Sequence, residues 1–525
     1  MEVIFQHLDT QPCSSGIYLF GRTRDGYSIG AKFTNIRPHV TIAKPANYEL
    51  WKNTFTKHLK LYHYSKKCFN AQSRNRKIPN PFFAYPNIGT FSIQTGQDIC
   101  NHNEQNISQF VKIECNNQWE LQSVKDLLLN PIRKIYHLPG LEEHVQIALS
   151  QKKTVTKMDM SAWKYDYKTP ELKPMNLYND QVDYTLQWLI DHNIYSCGFL
   201  KIMGSPVDDS ETTCDIEVNA ISPPSMVEED GMVDWVVLSY DIETLPKVRN
   251  ERGAIDFPEP EKDPIITIGV VLQKGKTSLQ YVWVLSHGET FDRLESLGEE
   301  DYKPENSTVF SFQDEKEMLQ DFVQFIINED VDFIEGHNIC RYDNDYLVRR
   351  YVKLFHKNPV LGRFKGQRSF IKKKMFQSNQ KGSHAIFNMN LPGRVVFDSY
   401  DIMKNQHNEG SYKLDNLAAK YLGTKKVDMP YEDIPKCFKT KEGRHKLAVY
   451  CLKDAWLVRQ MMDKLCKITV FVQMSNVTGI SIKDVLERGQ GIRTISLMLR
   501  YAKNRSVRIF IPRKEQKKHY NRRNV

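Results

Sequence analysis

A short apolar segment that carries two acids is the strongest constraint in the sequence. The segment VVLSYDIETL runs from Val236 to Leu245 and places Asp241 and Glu243 behind a run of apolar residues. Its composition predicts a buried strand, and residues i and i+2 of a strand point to the same face. Two carboxylates on one buried face repel each other, and their burial is costly unless a cation lies between them. The strand must therefore either end in water at the acids or bind a cation there.

The length and composition describe a large globular chain with a surplus of positive charge. The 525 residues exceed a single domain, and such a length favours about three domains. The chain is 40% hydrophobic and 26% charged, with a net charge of +10. A basic balance makes a polyanionic partner plausible. On charge alone, a soluble protein that is merely basic fits equally well.

Several classes of protein are disfavoured by the sequence pattern. No apolar run approaches the roughly 20 residues of a membrane span, and the N-terminal segment MEVIFQHLDTQPC lacks the pattern of a secretory signal. The ten cysteines show no CxxC or CxxxC spacing, which argues against a zinc ribbon and a disulfide framework and favours a reducing compartment. We therefore expect an intracellular, non-secreted protein with no membrane partner.

A proline-containing acidic segment at 221–234 separates two halves with different patterns. Residues before it alternate short strands and loops, which predicts a mainly β or α+β domain. Strands are predicted after it at 236–245, 263–273 and 278–286, and helices at 314–330, 444–467 and 482–504, the last interrupted around Gly489 and Gly491. This alternation predicts an α/β domain.

Three segments of this second half carry acids where the pattern requires apolar residues. Asp241 and Glu243 lie on the strand, Asp343 lies in GHNICRYDNDYL, and Asp454 lies in YCLKD. Tyr450 precedes Asp454 by four residues, and residues i and i+4 share a helix face. Each segment alone is common in proteins without a metal site, so their combination and order carry the argument. Hard oxygen ligands favour Mg²⁺ or Mn²⁺ over zinc, and two such ions suit phosphodiester hydrolysis.

The order of these segments resembles the three exonuclease motifs of family B DNA polymerases, within the DEDD exonucleases of the DEDDy type. The resemblance extends to LSYDIET, FPEPEKDPIITIG, GRVVFDSYDIM, GSYKLDNLAAKYLG, LAVYCLKDAWL and VTGISIKDVLERGQGIR. These segments are similar to eukaryotic polymerase delta and its relatives in large DNA viruses. The resemblance covers Val236 to Asn504 and is weaker before it. It implies an RNase H-like 3′→5′ exonuclease domain with a mixed sheet and flanking helices.

The resemblance implies a role for each acid in an exonuclease that uses two Mg²⁺ or Mn²⁺ ions. Asp241 would bridge both ions, Glu243 and Asp454 would complete the shell of the first, and Asp343 would support the second. Tyr450 would orient the attacking water by a hydrogen bond. The sequence departs little from the family pattern at these positions, although Asp345 is an additional acid without an implied role.

The resemblance also implies a set of residues that contact DNA. Asn338 would hold the terminal nucleotides, with Thr244, Leu245 and Tyr342 beside it. The basic stretch at 363–382 would form a β-hairpin that helps to separate primer from template, although a solvated basic loop is the alternative. Its side chains would contact phosphate without reading sequence. The basic residues assigned to this contact are Arg363, Lys365, Arg368, Lys372, Lys373 and Lys374.

The resemblance implies an order of domains as well. It places an N-terminal domain at 1–232, the exonuclease domain at 233–470, a helical segment that returns to the N-terminal domain at 471–512, and a basic tail at 513–525. The palm motifs of a complete polymerase, an SLYPS-like turn and a YGDTD-like hairpin, do not occur in these residues. We therefore expect no nucleotide addition by this chain alone. The implied partners are DNA, a palm-containing polypeptide and a processivity factor.

Two other functions stay open at this point. The chain could be a non-catalytic DNA-binding or scaffold subunit of a split polymerase, or an RNase of the same superfamily. The intact set of acids argues against the first, and the delta-like segments outside the acids argue against the second. The resemblance further implies that the protein acts in the nucleus or at a site of viral DNA replication.

Overall fold

The apolar strand predicted from Val236 lies at the centre of a mixed sheet in the computed structural model of this protein. Contacts divide the chain into two units, which we describe separately. The first contains Met1–Pro12, Tyr18–Lys32 and Ile194–Gln490, and the second contains Cys13–Ile17, Phe33–Asn193 and Gly491–Val525. The described residues are 1–13, 15–56, 58, 59, 62, 90–98, 107–129, 172–180, 182–246, 257–286, 288, 290–296, 302–378, 382–424 and 429–510.

Strands and helices alternate along most of the described chain. The strands are β1 (Glu2–Cys13), β2 (Gly16–Arg22), β3 (Ser28–Thr34), β4 (His39–Ala43), β5 (Phe91–Asp98), β6 (Ile107–Glu114), β7 (Leu177–Tyr178), β8 (Phe199–Pro206), β9 (Ile216–Ala220), β10 (Ser225–Val227), β11 (Val236–Thr244), β12 (Ile265–Lys274), β13 (Thr277–Leu285), β14 (Ser307–Phe312), β15 (Phe333–Gly336), β16 (Ile371–Ser378), β17 (Gly382–Met389), β18 (Val395–Asp398) and β19 (Val507–Arg508). The helices are α1 (Gln118–Leu129), α2 (Tyr184–Asp191), α3 (Glu315–Asn328), α4 (Asp343–Phe355), α5 (Ser399–Gln406), α6 (Leu414–Leu422), α7 (Ile434–Phe438), α8 (Lys441–Lys464), α9 (Lys467–Thr478), α10 (Ile482–Glu487) and α11 (Gln490–Asn504).

The central sheet of the first unit has the strand order β14-β13-β12-β11-β15-β18. Strands β11, β12 and β13 are antiparallel neighbours, whereas β15 and β18 run parallel to β11. The apolar residues of β11 and β12 are buried in one core together with residues of α3 and α4. This mixed sheet with packed helices confirms the predicted α/β class.

The predicted helices are confirmed, with shifts at their ends. Helix α3 begins after Asp314, whose side chain accepts hydrogen bonds from the backbone N–H groups of Lys316 and Glu317, as a capping residue does. The helix predicted at 444–467 begins three residues earlier and ends at Lys464. Cys466 adopts a left-handed conformation with φ of 48° and separates α8 from α9. The predicted interruption near Gly489 separates α10 from α11.

A second sheet of six strands has the order β1-β2-β3-β9-β8-β10. Strand β10 lies inside the segment at 221–234 that the sequence assigned to a linker, and it pairs with β8. Most residues of the first 32 fall into the same unit as residues 194–490, so the division into units does not coincide with the predicted boundary at 232. The bounds of the four predicted domains stay a prediction.

The second unit contains a five-stranded sheet with the order β19-β5-β6-β4-β7. Helix α1 and the helical residues 48–56 contribute to a core with the apolar residues of β4 and β6. Residues of α11 belong to this unit, and Val507 and Arg508 beyond it pair with β5. Among the described helices of both units, none combines the length and apolar character needed to cross a membrane.

A buried cluster of five charged residues lies at the start of the central sheet. Asp332 accepts hydrogen bonds from Arg22 at 2.6 Å and from Arg363 at 2.7 Å, and Asp330 accepts from the same two arginines. Arg394 adds a third guanidinium, 3.8 Å from Asp330. Asp332, Arg363 and Arg394 have no solvent exposure. Buried charges of this kind persist only when they are paired.

The same cluster holds the first residue of the strand that carries the acids. The side chain of Asp332 accepts a hydrogen bond from the backbone N–H of Val236 at 2.9 Å, and its own N–H donates to the carbonyl of Val236 at 2.8 Å. Burial and, after it, the positive charge of Arg363 together lower the pKa of Arg394 to about 10. Burial also opposes the charge of Arg363, but the two aspartates raise its pKa above the ordinary value.

The prediction that Arg363 contacts DNA is wrong. Its guanidinium is fully buried and is bonded to Asp330, Asp332 and the carbonyl of Gly393. The neighbouring Lys365 is exposed, as the prediction requires for a contact with phosphate. The composition of the basic stretch does not distinguish these two environments, because the acids that pair with Arg363 lie about thirty residues earlier in the chain.

We expect Arg363→Ala to lower the free energy of unfolding by about 3–5 kcal/mol, because Asp330 and Asp332 would remain buried without their main partner. Chemical denaturation followed by circular dichroism measures this loss. Arg349→Ala is the matched control, since Arg349 pairs with Glu261 at the surface, where such pairs contribute about 0–1 kcal/mol. Equal losses in the two variants would contradict a structural role for Arg363.

Candidate active site

The two acids of β11 lie where its regular pairing ends. Asp241 is half-buried and Glu243 is 8% exposed. The pairing with β12 shifts between Glu243 and Thr244, so that Glu243 faces Thr267 and Thr244 faces Ile265. Such an irregularity bends a strand and locally disrupts its ladder of hydrogen bonds. The acids therefore stand together at the rim of the sheet.

Asp343 brings a third carboxylate to this rim. It is the first residue of α4 and is 3% exposed. Its Oδ1 accepts a hydrogen bond at 3.3 Å from the backbone N–H of Ile242, which lies between the two acids of the strand. Burial raises the pKa of Asp343 to about 7, and the charges of Asp398 and Asp454 contribute to the increase. Without a cation, this carboxyl group therefore keeps its proton to a higher pH than a solvent-exposed aspartate does.

Helix α8 contributes the last two residues that the sequence assigned to catalysis. Asp454 is 3% exposed, and its charge raises the pKa of Asp343, so the two groups are electrostatic neighbours. Tyr450 lies one turn earlier on the same helix and is 7% exposed. The structure therefore brings together all four predicted metal-binding carboxylates. Their individual roles stay predictions.

A cysteine that the sequence reasoning missed completes the cluster. The thiol of Cys451 donates a hydrogen bond at 3.2 Å to the backbone carbonyl of Asp241. Side-chain ligand atoms of Asp241, Glu243 and Cys451 all lie within 4.8 Å of one another. Burial, and then the charges of Asp241, Glu243 and Asp454, raise the pKa of this thiol well above its usual range. Cys451 lies between Tyr450 and Asp454 in YCLKD, and this position in the sequence could have indicated that it belongs to the site.

The donors of this cluster suit a hard divalent cation. Its four carboxylates supply the oxygen ligands that Mg²⁺ and Mn²⁺ prefer. The neutral thiol of Cys451 is a poor ligand for such ions, because metal binding to sulfur requires the thiolate. The donor chemistry therefore fits the expected Mg²⁺ or Mn²⁺ and does not resemble a zinc site rich in cysteine and histidine.

The loop after β15 holds Asn338 in a left-handed conformation with φ of 59°. The carboxylate of Asp398 fixes this loop, because it accepts hydrogen bonds from the N–H groups of Asn338 at 2.9 Å and Cys340 at 3.1 Å. Burial and the neighbouring Asp401 raise the pKa of Asp398 to about 6. Asp398 was also missed, although an acid at the end of the strand in GRVVFDSYDIM was a visible signal.

Two predicted DNA contacts form a pair beside the acids. The hydroxyl groups of Thr244 and Tyr342 lie 3.2 Å apart. The ring of Tyr342 is 5.6 Å from the ring of Phe257, which is 70% exposed and was not predicted. Leu245 is half-buried and packs against the core. The rim therefore carries an exposed aromatic surface next to the carboxylates.

Asp345, to which the sequence gave no role, lies outside the carboxylate cluster. Its carboxylate accepts a hydrogen bond from Arg349 at 3.3 Å, and Arg349 is also paired with Glu261. Asp345 is therefore part of a surface network of ion pairs on α4.

The predicted hairpin exists but begins later in the chain. Strands β16 and β17 pair in register from Ile371 to Met389, and not from residue 363. Lys372 and Lys373 are exposed on β16, and Lys365 and Arg368 are exposed before it. The side chain of Lys374 and the predicted basic tail at 513–525 lie outside the described residues. The DNA contacts of the four described basic residues stay predictions.

Comparison with known proteins shows what this chain is similar to. Residues 175–417 match the family model for the exonuclease domain of DNA polymerase family B. Similar curated proteins are DNA polymerase delta catalytic subunits. That of Dictyostelium discoideum is 26% identical over 495 residues, covering 93% of this chain and 40% of the relative. That of Mesocricetus auratus is 32% identical over 345 residues, covering 64% and 30%. The chain thus spans less than half the length of these relatives.

A solved structure supports the same fold. The family B DNA polymerase from the hyperthermophilic archaeon Pyrobaculum calidifontis matches with a TM-score of 0.61 and 17% identity, over 96% of this chain and 51% of that one. At this level of identity, the match shows the fold alone. Together with the family match, it confirms the predicted RNase H-like exonuclease fold and the resemblance stated from the sequence.

We expect Asp343→Asn to stabilise the metal-free protein at high pH. A raised pKa gives stability that is complete below the ordinary value of 3.8 and is lost as the pH rises through about 7. Asparagine cannot ionise and keeps an oxygen for the N–H of Ile242. The difference in unfolding free energy between variant and wild type should grow by at least about 1 kcal/mol between pH 5 and pH 8.

Denaturation with a chelator present at both pH values measures this difference. A constant difference would show that Asp343 ionises normally in the folded protein.

Proposed function

We propose that this chain belongs to the family B DNA polymerases, as its similarity to their exonuclease domain suggests, and that this domain is a metal-dependent 3′→5′ exonuclease that acts on DNA. The convergence of Asp241, Glu243, Asp343 and Asp454 carries the proposal. These acids come from a strand and two helices and meet at one rim of the sheet. A solvated strand end would not need buried carboxylates from three elements.

Asp241, Glu243, Asp343 and Asp454 would hold two Mg²⁺ or Mn²⁺ ions. When bound, the ions supply positive charge to the scissile phosphate and lower the pKa of a water molecule. Asp343 must be ionised to act as a ligand, so its carboxyl group gives up its proton as the site fills. The thiol of Cys451 stays protonated and fixes the backbone of Asp241 by its hydrogen bond.

Tyr450 would orient the attacking water through its hydroxyl group. The water oxygen bonds to phosphorus, and the bond between phosphorus and the 3′-oxygen breaks. A nucleoside 5′-monophosphate leaves, and the strand retains a new 3′-hydroxyl group. The position of Tyr450 one turn before Asp454 supports this role, because both side chains share one face of α8.

The substrate would be a single-stranded or frayed 3′ end. A base must leave its duplex before its phosphodiester bond can reach a site lined by buried acids. The exposed ring of Phe257 and the half-buried ring of Tyr342 offer stacking surfaces for such bases. Asn338 and Thr244 would contact the terminal nucleotides. Lys372 and Lys373 on the hairpin would contact backbone phosphate.

We propose proofreading during DNA replication as the wider role, because the chain is similar to DNA polymerase delta catalytic subunits. In this role the exonuclease would remove misincorporated nucleotides at replicating DNA, in the nucleus or at a viral replication site. Nucleotide addition would need a palm domain, either on a separate polypeptide or in further sequence, and a processivity factor would be a further partner.

We expect Asp241→Ala and Asp454→Ala each to abolish the degradation of a 5′-labelled single-stranded DNA in Mg²⁺ or Mn²⁺. Each change removes a metal ligand and leaves the aromatic and basic surfaces intact, so DNA binding should remain. Gel analysis of the products measures cleavage and its direction. Matched RNA and DNA substrates separate a DNase from an RNase. If the wild-type chain leaves both intact, the protein is not a nuclease under these conditions and the scaffold function gains support.

Asp345→Ala is the matched control, because Asp345 lies two residues from Asp343 but pairs with Arg349. Its activity should equal that of the wild type.

Tyr450→Phe tests the role of the Tyr450 hydroxyl group in the same assay. Loss of one positioned hydroxyl group should slow cleavage by roughly 10- to 1000-fold.

We expect Phe257→Ala to weaken the binding of single-stranded DNA by roughly 5- to 100-fold, since stacking on an aromatic side chain contributes about 1–3 kcal/mol per base. Fluorescence anisotropy with a labelled oligonucleotide measures the affinity, in an Asp241→Ala background that prevents cleavage. Tyr27→Ala is the control, because Tyr27 is also exposed but lies in the connection between β2 and β3. Equal effects of the two changes would assign no DNA contact to Phe257.

A further inference from the structure

Gly269 lies in β12 directly opposite Asp241. Paired residues of antiparallel strands point to the same face of the sheet. The side chain that Gly269 lacks would therefore stand on the face that carries the carboxylates of Asp241 and Glu243. Helix α8, which carries Tyr450 and Asp454, packs against β11 and β12 on this face.

The helix backbone occupies the space that any side chain at this position would need. A methyl group on Gly269 would lie 2.6 Å from both the Cα and the N atom of Leu452, and 2.7 Å from the carbonyl carbon of Cys451. Ordinary van der Waals contact begins at 3.4 Å, so the methyl group would be about 0.8 Å too close. These atoms belong to the backbone, so no change of rotamer can relieve the contact.

Two hydrogen bonds hold the helix at this distance from the sheet. The thiol of Cys451 donates to the carbonyl of Asp241 at 3.2 Å, and the hydroxyl group of Ser239 donates to the carbonyl of Ala455 at 2.8 Å. Ala448, Cys451 and Ala455 are small and fully buried. The helix therefore lies directly on the strands, with no large side chain between the two backbones.

The contact lies between the two halves of the carboxylate site. Tyr450 precedes the contacting residues Cys451 and Leu452, and Asp454 follows them. Asp241 and Glu243 lie on the strand paired with Gly269. A cation shared between strand and helix needs carboxylate oxygens from both at about 2.0–2.6 Å. The distance between the two backbones thus determines whether both sets of oxygens can reach one ion.

We propose that Gly269 is a positioning residue for the metal site, because its missing side chain sets the distance between the strand and the helix that supply the ligands. This inference rests on the proposed exonuclease function and adds to it a residue that touches neither metal nor DNA. Substitution by a larger residue would move α8 away from β11 and separate Asp454 and Tyr450 from Asp241 and Glu243. The protein could still fold after this movement, but one cation could no longer bind carboxylates from both β11 and α8.

The experiment compares Gly269→Ala with the wild type in the full chain. A titration followed by electron paramagnetic resonance of free Mn²⁺ measures metal binding without any dependence on activity. We expect Mn²⁺ affinity to fall by about 10-fold or more, and the maximal cleavage rate to fall by about 100-fold, as for catalytic groups misplaced by about 1 Å. The KM for the oligonucleotide should stay within about 2-fold, because the DNA contacts are unchanged.

Gly410→Ala is the matched control, because a methyl group there would have no neighbour within 4 Å and Gly410 lies outside the stretch assigned to DNA contact. Its Mn²⁺ affinity and cleavage rate should equal those of the wild type. If Gly269→Ala binds Mn²⁺ and cleaves DNA as the wild type does, the positioning role is overturned and the exonuclease function stands. If the wild type itself binds no Mn²⁺ and cleaves no DNA, both are overturned.

If Gly269→Ala does not fold, Ser239→Ala tests the same inference. This change keeps the packing of α8 and removes only the hydroxyl group that holds the carbonyl of Ala455. If the position of the helix controls the metal site, Mn²⁺ affinity should fall by about 3-fold, in line with the loss of one hydrogen bond. An unchanged Mn²⁺ affinity in Ser239→Ala would then overturn the inference.

Discussion

Repulsion among carboxylates at the end of β11 is the constraint on which the rest of the first unit depends. Burial favours a proton on Asp343, yet metal binding requires its ionised oxygens. The fold holds the acids together through uncharged groups, which include the N–H of Ile242 and the thiol of Cys451. A rigid sheet and a tightly packed helix therefore maintain an arrangement that is electrostatically unfavourable until a cation binds.

Buried ion pairs elsewhere in this unit join the elements that carry the site. The cluster around Asp332 fixes the start of β11. Glu335 on β15 is bonded at 2.6 Å to Arg459 on α8, and burial raises the pKa of Glu335 to about 7. Buried ion pairs add little net stability but are costly to break, so they favour one arrangement of strands and helices over others.

Local patterns in the sequence were enough to predict the central strands, helix α3 and the four acids, because apolar periodicity and motif order do not depend on distant contacts. Arg363 was assigned to DNA wrongly, since its partner Asp332 becomes its neighbour only in the folded chain. The hairpin was predicted to begin about eight residues too early, because lysine content does not determine where a strand begins or how it pairs. Gly269 and Asp398 were missed because their importance comes from backbone atoms of other segments.

The burial of Cys451 has a consequence for the motions of the protein. Its sulfur is enclosed between helix and strand with no solvent exposure, so an alkylating reagent can reach it only when α8 lifts from the sheet. The rate of alkylation would then report the free energy of local opening at the site, independently of global unfolding. Cations that bridge the strand and the helix would slow this rate, so one native thiol can serve as a kinetic probe of how tightly the two halves are held.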